Sequence, residues 1–235
     1  MGSDSRPSSA VIATTALCVA AGAFVVLTIA AMAFYPGGSY SDPHSPGYRF
    51  FGNFFSDLGQ TFVMYGKVDT PNVASCALFV LAMSGVSLSL AWAAWPIGTV
   101  VSGGRSVGSA IIGVMGSVAA LGFMGVALNP WNLRYPAHMA FVKIAFGVLF
   151  LFMAGVALQQ ARHHWPARDV AVGIVYAVAL FAYSVNLQVA KLDSPQAVMT
   201  QSVLQKSIVY LSILCLSLIA WAVRARALSQ ERVSS

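Results

Sequence analysis

Six separate apolar runs, each long enough to cross a bilayer, constrain this 235-residue chain more than any other feature. They fall at about 11–35, 72–95, 107–128, 137–158, 170–190 and 203–223. At 1.5 Å per residue such runs give about 31 to 38 Å of helix, against about 30 Å of hydrocarbon. Backbone in lipid must satisfy its own hydrogen bonds, so each run is predicted to be helical. The fold expected is all-α, a polytopic membrane helix bundle with six transmembrane helices. Composition agrees: 58% of residues are hydrophobic and 9% charged, where a soluble domain carries about 25% charged. That balance excludes a water-soluble globule, a collagen-like or disordered chain and a disulfide scaffold.

Breakers mark the ends of the runs. Pro36-Gly37-Gly38 closes the first, Pro71 precedes the second, Pro96 and Gly98 are expected to end it, and Asn129-Pro130 ends the third. The first run is too long for a signal-peptide core and is read as a retained span. Segments 1–10 and 224–235 are expected to be a cytoplasmic N-terminal tail and a basic cytoplasmic tail, flanking a membrane domain over 11–223. In the third run Ser109, Gly113 and Ser117 recur at four-residue steps, with Gly116, Gly122 and Gly125 nearby. Small residues so spaced let helix backbones approach closely, so this span is expected at the centre of the bundle.

The formal charge of +6 does not imply nucleic acid, because the basic residues lie near span ends and report orientation. Arg6, Arg105, Arg162, Arg168, Arg224, Arg226 and Arg232 fall on one side; Arg49, Lys67, Arg134 and Lys191 fall on the other. Seven against four puts both termini in the cytoplasm. Cys18, Cys76 and Cys215 sit singly within apolar runs and read as packing residues. The four histidines divide two and two between the sides, and no metal-ligand spacing occurs, so neither a metal nor a cofactor is expected.

Residues 36–71 form the one long connection. Within it, Phe50, Phe51, Phe54, Phe55, Leu58 and Phe62 fall on one helical arc, with Arg49, Asn53, Ser56, Asp57 and Gln60 on the opposite one. The spacing predicts a short amphipathic helix in the first extracytoplasmic loop, its aromatic face on the bundle or the headgroup boundary. Gly59 is expected to supply the left-handed residue that ends its first stretch. The string Asn53, Ser56, Asp57, Leu58, Gly59, in an aromatic-rich first loop of a chain with about six spans, resembles the bacterial and archaeal membrane family called domain of unknown function 998. It is also distantly similar to the six-span DRAM/Frag/Sfk group. The resemblance implies a multi-pass protein of membrane or lipid homeostasis and supplies no catalytic residues.

Polar residues gather toward the outer halves of the spans: His138, with Lys143 about 9 Å inside the start of span four, Asn186 and Gln188 at the end of span five, and Ser202, Gln205 and Lys206 at the start of span six. Tyr176, Tyr183 and Asn186 form one stripe, and Ser202, Lys206 and Tyr210 another. Together with Asp57 these residues are expected to surround an outward-facing polar pocket. The candidate ligand-binding set is therefore Asn53, Ser56, Asp57, His138, Lys143, Asn186, Lys206 and Tyr210. Lys143 either snorkels to the interface, pairs with Asp57 or holds a charged ligand. The expected function is binding of a lipid headgroup or small polar ligand, membrane lipids being the partners; a small-solute or proton-coupled transporter and a lipid-modifying enzyme are the alternatives. A Ser56, His138, Asp57 triad is the weakest of these, since adjacent Ser56 and Asp57 diverge on a helix and no nucleophile elbow is present.

Overall fold

A computed structural model describes residues 8–65 and 70–234. Six helices follow in order: α1 (Ser9–Phe34), α2 (Val73–Val101), α3 (Val107–Leu128), α4 (Trp131–Arg162), α5 (Ala167–Val189) and α6 (Pro195–Ser234), with a 3-10 helix, Phe55–Gly59, in the first connection. All six are long and apolar enough to cross a membrane. Among the described residues the only strand-like pairings are two isolated bridges, Gly37 with Pro46 and Phe62 with Pro71, which pinch the long loop shut. Arg6, Lys67 and most of the expected N-terminal tail lie outside the described residues.

The apolar residues divide between an interior and an outer coat. Leu17, Leu90, Leu149, Phe152 and Leu180 are fully buried, while Val26, Leu88, Leu121, Val175 and Trp221 point outward with more than half their surface free. A soluble protein rarely exposes so continuous an apolar surface; in lipid it is the natural exterior. Serine and threonine hydroxyls inside the spans turn back on their own helices, as Thr14 does to the Ala10 carbonyl (2.6 Å) and Ser87 to that of Met83 (2.7 Å).

The helices pack in sequence order around a ring that α6 closes against α1. The small residues of α3 do bring backbones together: a Cβ on Gly122 would lie 2.8 Å from the Ala145 Cα of α4, and one on Gly98 of α2 would lie 2.5 Å from the Ser109 carbonyl of α3. Yet α3 is not central, since its substantial partners are α2 and α4. The hub is α2, which meets α1, α3, α4, α6 and the 3-10 helix. Close approach measures how tightly two helices pack, not how many neighbours they have.

Several boundaries move outward from the sequence reading. Pro96 and Gly98 do not end α2, which runs on to Val101; Gly98 is a contact point, and Thr99 bonds to the Trp95 carbonyl one turn back (3.1 Å). Helix α4 starts at Trp131 rather than 137, through a non-helical Arg134 just ahead of Pro136. Helix α6 runs without interruption over 40 residues, about 60 Å. That exceeds the bilayer, so the expected basic tail is instead a helical extension beyond the apolar span. The backbone N–H of Ser8 donates to Glu231 (2.9 Å), so the described start of the chain and the end of α6 share one face of the bundle.

Candidate functional site

The long loop departs most from its expected form. Its amphipathic α-helix is reduced to the single 3-10 helix Phe55–Gly59, and the polar side faces inward. Asn53, Asp57 and Gln60 are each 0% exposed, whereas Phe51 is 62% exposed. The phenylalanines split: Phe50 and Phe51 stay outside, and Phe55 drops into the bundle against Phe24 (5.8 Å), Phe79 (5.6 Å) and Tyr210 (5.9 Å). Gly59 does not adopt a left-handed conformation. It is required for a different reason, because a Cβ there would lie 2.7 Å from the Phe79 ring.

Asp57 organises this cap. One carboxylate oxygen accepts from the Asn53 side chain (3.0 Å) and the Phe54 backbone N–H (2.9 Å). The other accepts from Gln60 (3.1 Å) and from the Trp131 indole at the start of α4 (3.1 Å). Four donors occupy the lone-pair directions a carboxylate offers. Burial nevertheless outweighs these hydrogen bonds and the nearby Lys206 ammonium, and pushes the Asp57 carboxyl up from 3.8 to about 6.

The rest of the cap is closed in the same way. Asn53 donates to the Gly38 carbonyl (2.8 Å) and accepts from the Arg49 N–H (2.9 Å). Asn72, just ahead of α2, donates to the carbonyls of Leu58 (3.2 Å) and Gln60 (2.9 Å). Lys206, 1% exposed on α6, donates to the carbonyls of Asn53 and Ser202 and lies over the rings of Tyr48 (5.4 Å) and Phe50 (5.3 Å). An ammonium so occupied fastens loop to helix.

The eight expected site residues therefore do not surround one polar pocket. Asn53, Asp57 and Lys206 form the latch of the cap. Lys143 does not pair with Asp57: it is exposed on α4 and donates to Gln188 of α5 (2.9 Å). Asn186 is half-buried on α5, its side-chain oxygen without a hydrogen-bond partner among the described residues. Tyr210 lies against Phe55 and 3.4 Å from the Thr28 hydroxyl. Only Ser56 and His138 meet elsewhere, at a cavity beneath the cap.

That cavity lies among α1, α2, α3, α4 and α6, with room of about 60 Å³, and its walls are almost wholly apolar: Phe24, Phe79, Val86, Phe123, Val142 and Leu216 represent its five helices. Its polar members are Ser56, Ser87, His138, Gln205 and Ser212. Ser87 and Ser212 spend their hydroxyl protons on the carbonyls of Met83 (2.7 Å) and Ile208 (2.6 Å). His138 is 3% exposed and holds the Asn129 carbonyl through Nδ1 (2.8 Å). The Gln205 side-chain oxygen accepts from the Phe55 N–H (2.7 Å). Helices α4 and α6 both line the cavity without packing extensively on one another; α5, which contributes nothing to the lining, bridges them.

The sequence did not single out Gln205 as a binding residue or the apolar walls at all. Five phenylalanines, Phe24, Phe55, Phe79, Phe123 and Phe146, converge from four helices and the loop, and no local spacing records that. Ser56 and His138 share the cavity, but no catalytic triad is assembled: Nδ1 of His138 is committed to the Asn129 carbonyl, and Asp57 to its four donors. Among the described residues no group of three or more metal-ligating side chains occurs. In comparisons with known proteins, no family model, curated protein or solved structure matches this chain.

Proposed function

We propose that this protein binds a membrane amphiphile, accommodating part of its hydrocarbon chain in the cavity beneath the loop cap. One observation carries the reading: an interior cavity, beneath the cap and among five helices, whose walls are almost wholly apolar. Apolar ligands are held by such walls, and a few placed polar groups fix which end goes where. The cap itself is a poor candidate for the ligand site, because the Asp57 carboxylate, the Lys206 ammonium and the side chains of Asn53 and Gln60 are already bonded within it. The resemblance to the domain of unknown function 998 family and the DRAM/Frag/Sfk group supports a role in membrane or lipid homeostasis. That resemblance also supports a bacterial cytoplasmic membrane, and the arginine and lysine count supports both termini on the cytoplasmic face with the cap outside.

Native mass spectrometry of protein released from nanodiscs tests this directly. Wild type is expected to retain a lipid or lipid fragment, and Val86→Phe, which fills the cavity from α2, to lose it while keeping its unfolding temperature within a few degrees. A Val86→Phe variant that retains the same mass adduct as wild type overturns the reading.

A further inference from the structure

The cavity is fenced unevenly. Helices α1, α2, α3, α4 and α6 supply its lining, and the neighbouring pairs α1–α2, α2–α3, α3–α4 and α1–α6 pack directly on one another. Between α4 and α6 the fence is α5, which stands behind the lining and packs less on α6 than any other neighbours in the ring pack together. Its attachment is to α4: Phe181 lies by Phe150 (5.5 Å), Tyr183 meets the cavity residue Phe146 edge to face (4.9 Å), and Gln188 accepts from Lys143 (2.9 Å). On the α6 side Tyr176, 0% exposed, stands beside Ser212 and Cys215, and Ser212 lines the cavity. Tyr176 therefore marks where the α5–α6 seam adjoins the cavity. The seam is held at its two ends. Residues 190–194 join the helices at one, and at the other the Arg226 guanidinium lies over the ring of Trp165, just ahead of α5 (4.5 Å).

We infer that the α5–α6 seam admits the end of one acyl chain of a bilayer phospholipid, which enters the cavity tail first while its head stays at the membrane surface. Room of about 60 Å³ behind apolar walls suits a chain end. No cationic side chain lines the cavity, so a phosphate head would lose its water there with nothing to offset the loss. Depth agrees with a tail-first entry: Ser212 lies near the middle of the apolar run 203–223, at the level where acyl chains end. The cap is the costlier route. Passage through it breaks the hydrogen bonds of Asp57 and Lys206 and lifts Phe55 from the bundle. Parting α5 from α6 between its fastened ends exposes no apolar surface to water, because lipid hydrocarbon replaces the contacts that are lost.

This inference rests on the cavity being a chain-binding site, and the test separates the two. Wild-type protein in nanodiscs is photolabelled either with a phosphatidylcholine carrying a diazirine at the tip of one acyl chain or with a free diazirine-bearing octane. Labelling is mapped to single residues, and the part removed by excess octane is scored. Both probes are expected to give competed labelling at Val86 and Val142, which are buried and line the cavity. The phospholipid is expected to label Tyr176 and Cys215 of the seam as well, and neither probe to label Leu58, which is buried in the cap. Tyr176→Ala, which takes the ring out of the seam, is expected to speed labelling of Val142 by the phospholipid about tenfold, the equivalent of about 1.4 kcal/mol and less than a buried aromatic ring contributes. If only the free octane probe reaches Val86 and Val142, or if competed labelling falls on Leu58 in place of Tyr176 and Cys215, the seam inference falls while the chain site stands. A folded Tyr176→Ala that labels at the wild-type rate also overturns it. If neither probe gives competed labelling in the cavity, the chain site falls with it. The wild-type readouts decide the matter even where the variant does not fold.

Discussion

The cap and the cavity lining adjoin in sequence at Ser56–Asp57 and at Gln205–Lys206, and use similar residue types to opposite ends. In the cap, Asn53, Asp57 and Gln60 are buried and bonded to one another, to backbone and to Trp131. In the lining, Ser56, Gln205 and His138 are partly or wholly buried and keep hydrogen-bonding capacity in reserve. A dense run of polar residues in a loop therefore does not by itself identify a ligand site. Satisfied groups hold a structure, and unsatisfied ones are available to something else.

The largest effect should come from breaking the cap. Asp57→Ala leaves four donors without their acceptor and Lys206 without its neighbouring negative charge, a loss of about 3 to 5 kcal/mol. Thermal unfolding in mild detergent should show a drop of many degrees. Lys206→Met, which frees the Asn53 and Ser202 carbonyls, should follow at about 2 to 4 kcal/mol. If Asp57→Ala unfolds like wild type but loses bound amphiphile, the division between architecture and site is wrong.

Proton binding to the same carboxyl gives the next effect, and its sign is set by burial. Asp57 ionises at about 6 in the folded protein against 3.8 as its unperturbed value, so the folded state binds the proton more tightly than the unfolded chain. The contribution is fully present below 3.8, is lost as pH rises through about 6 and is level above, a span on the order of 2 to 3 kcal/mol. Unfolding temperatures of wild type and Asp57→Asn between pH 4 and pH 7 isolate it, since the two proteins differ in this group alone. A wild-type curve that rises with pH relative to the variant would contradict the assignment.

A smaller change should connect the two regions. Gly59→Ala would drive a methyl group into the Phe79 ring, which both meets Phe55 edge to face and lines the cavity. Overpacking of this kind costs about 1 to 3 kcal/mol. Because Phe79 belongs to cap and cavity alike, the variant should lose stability and amphiphile together. Loss of stability with undiminished retention of the lipid adduct would show the two regions to be independent.

These contrasts also mark how far the sequence could be read. Six spans were legible because each run exceeds the thickness of the hydrocarbon, and bilayer chemistry leaves little choice but helix. Pro96 misled because proline ends helices in water, whereas in α2 the helix continues past it and Gly98 serves α3 instead. The loop misled for a different reason: a period of 3.6 assumes a helix, and the chain here buries Asn53, Asp57 and Gln60 through turns and a 3-10 segment, so an arc drawn at 100° per residue assigned them to the wrong side. Asp57 was expected among ligand-binding residues and instead holds the cap together, its neighbours Asn72 and Trp131 lying 15 and 74 positions away. The cavity was illegible, since its walls are phenylalanines and valines that look like any others in a span.

Lys143 provides the smallest and most discriminating effect. By sequence Lys143, deeper in its span than Lys206, was the more informative charge, because lysine costs more the further it sits inside the hydrocarbon. The structure separates them: Lys206 is 1% exposed and fastened to two carbonyls, while Lys143 faces outward and reaches Gln188 at 2.9 Å. An outward-facing lysine on a bilayer protein keeps its ammonium toward the interface through its own flexible stem, so little is bound up in the fold. Lys143→Met is therefore expected to change stability by less than about 0.5 kcal/mol and to leave amphiphile retention intact, measured side by side with Lys206→Met in the same nanodiscs. If the two lysines prove equally costly, Lys143 faces the interior in the working protein, and the α4–α5 seam must close differently from the arrangement described.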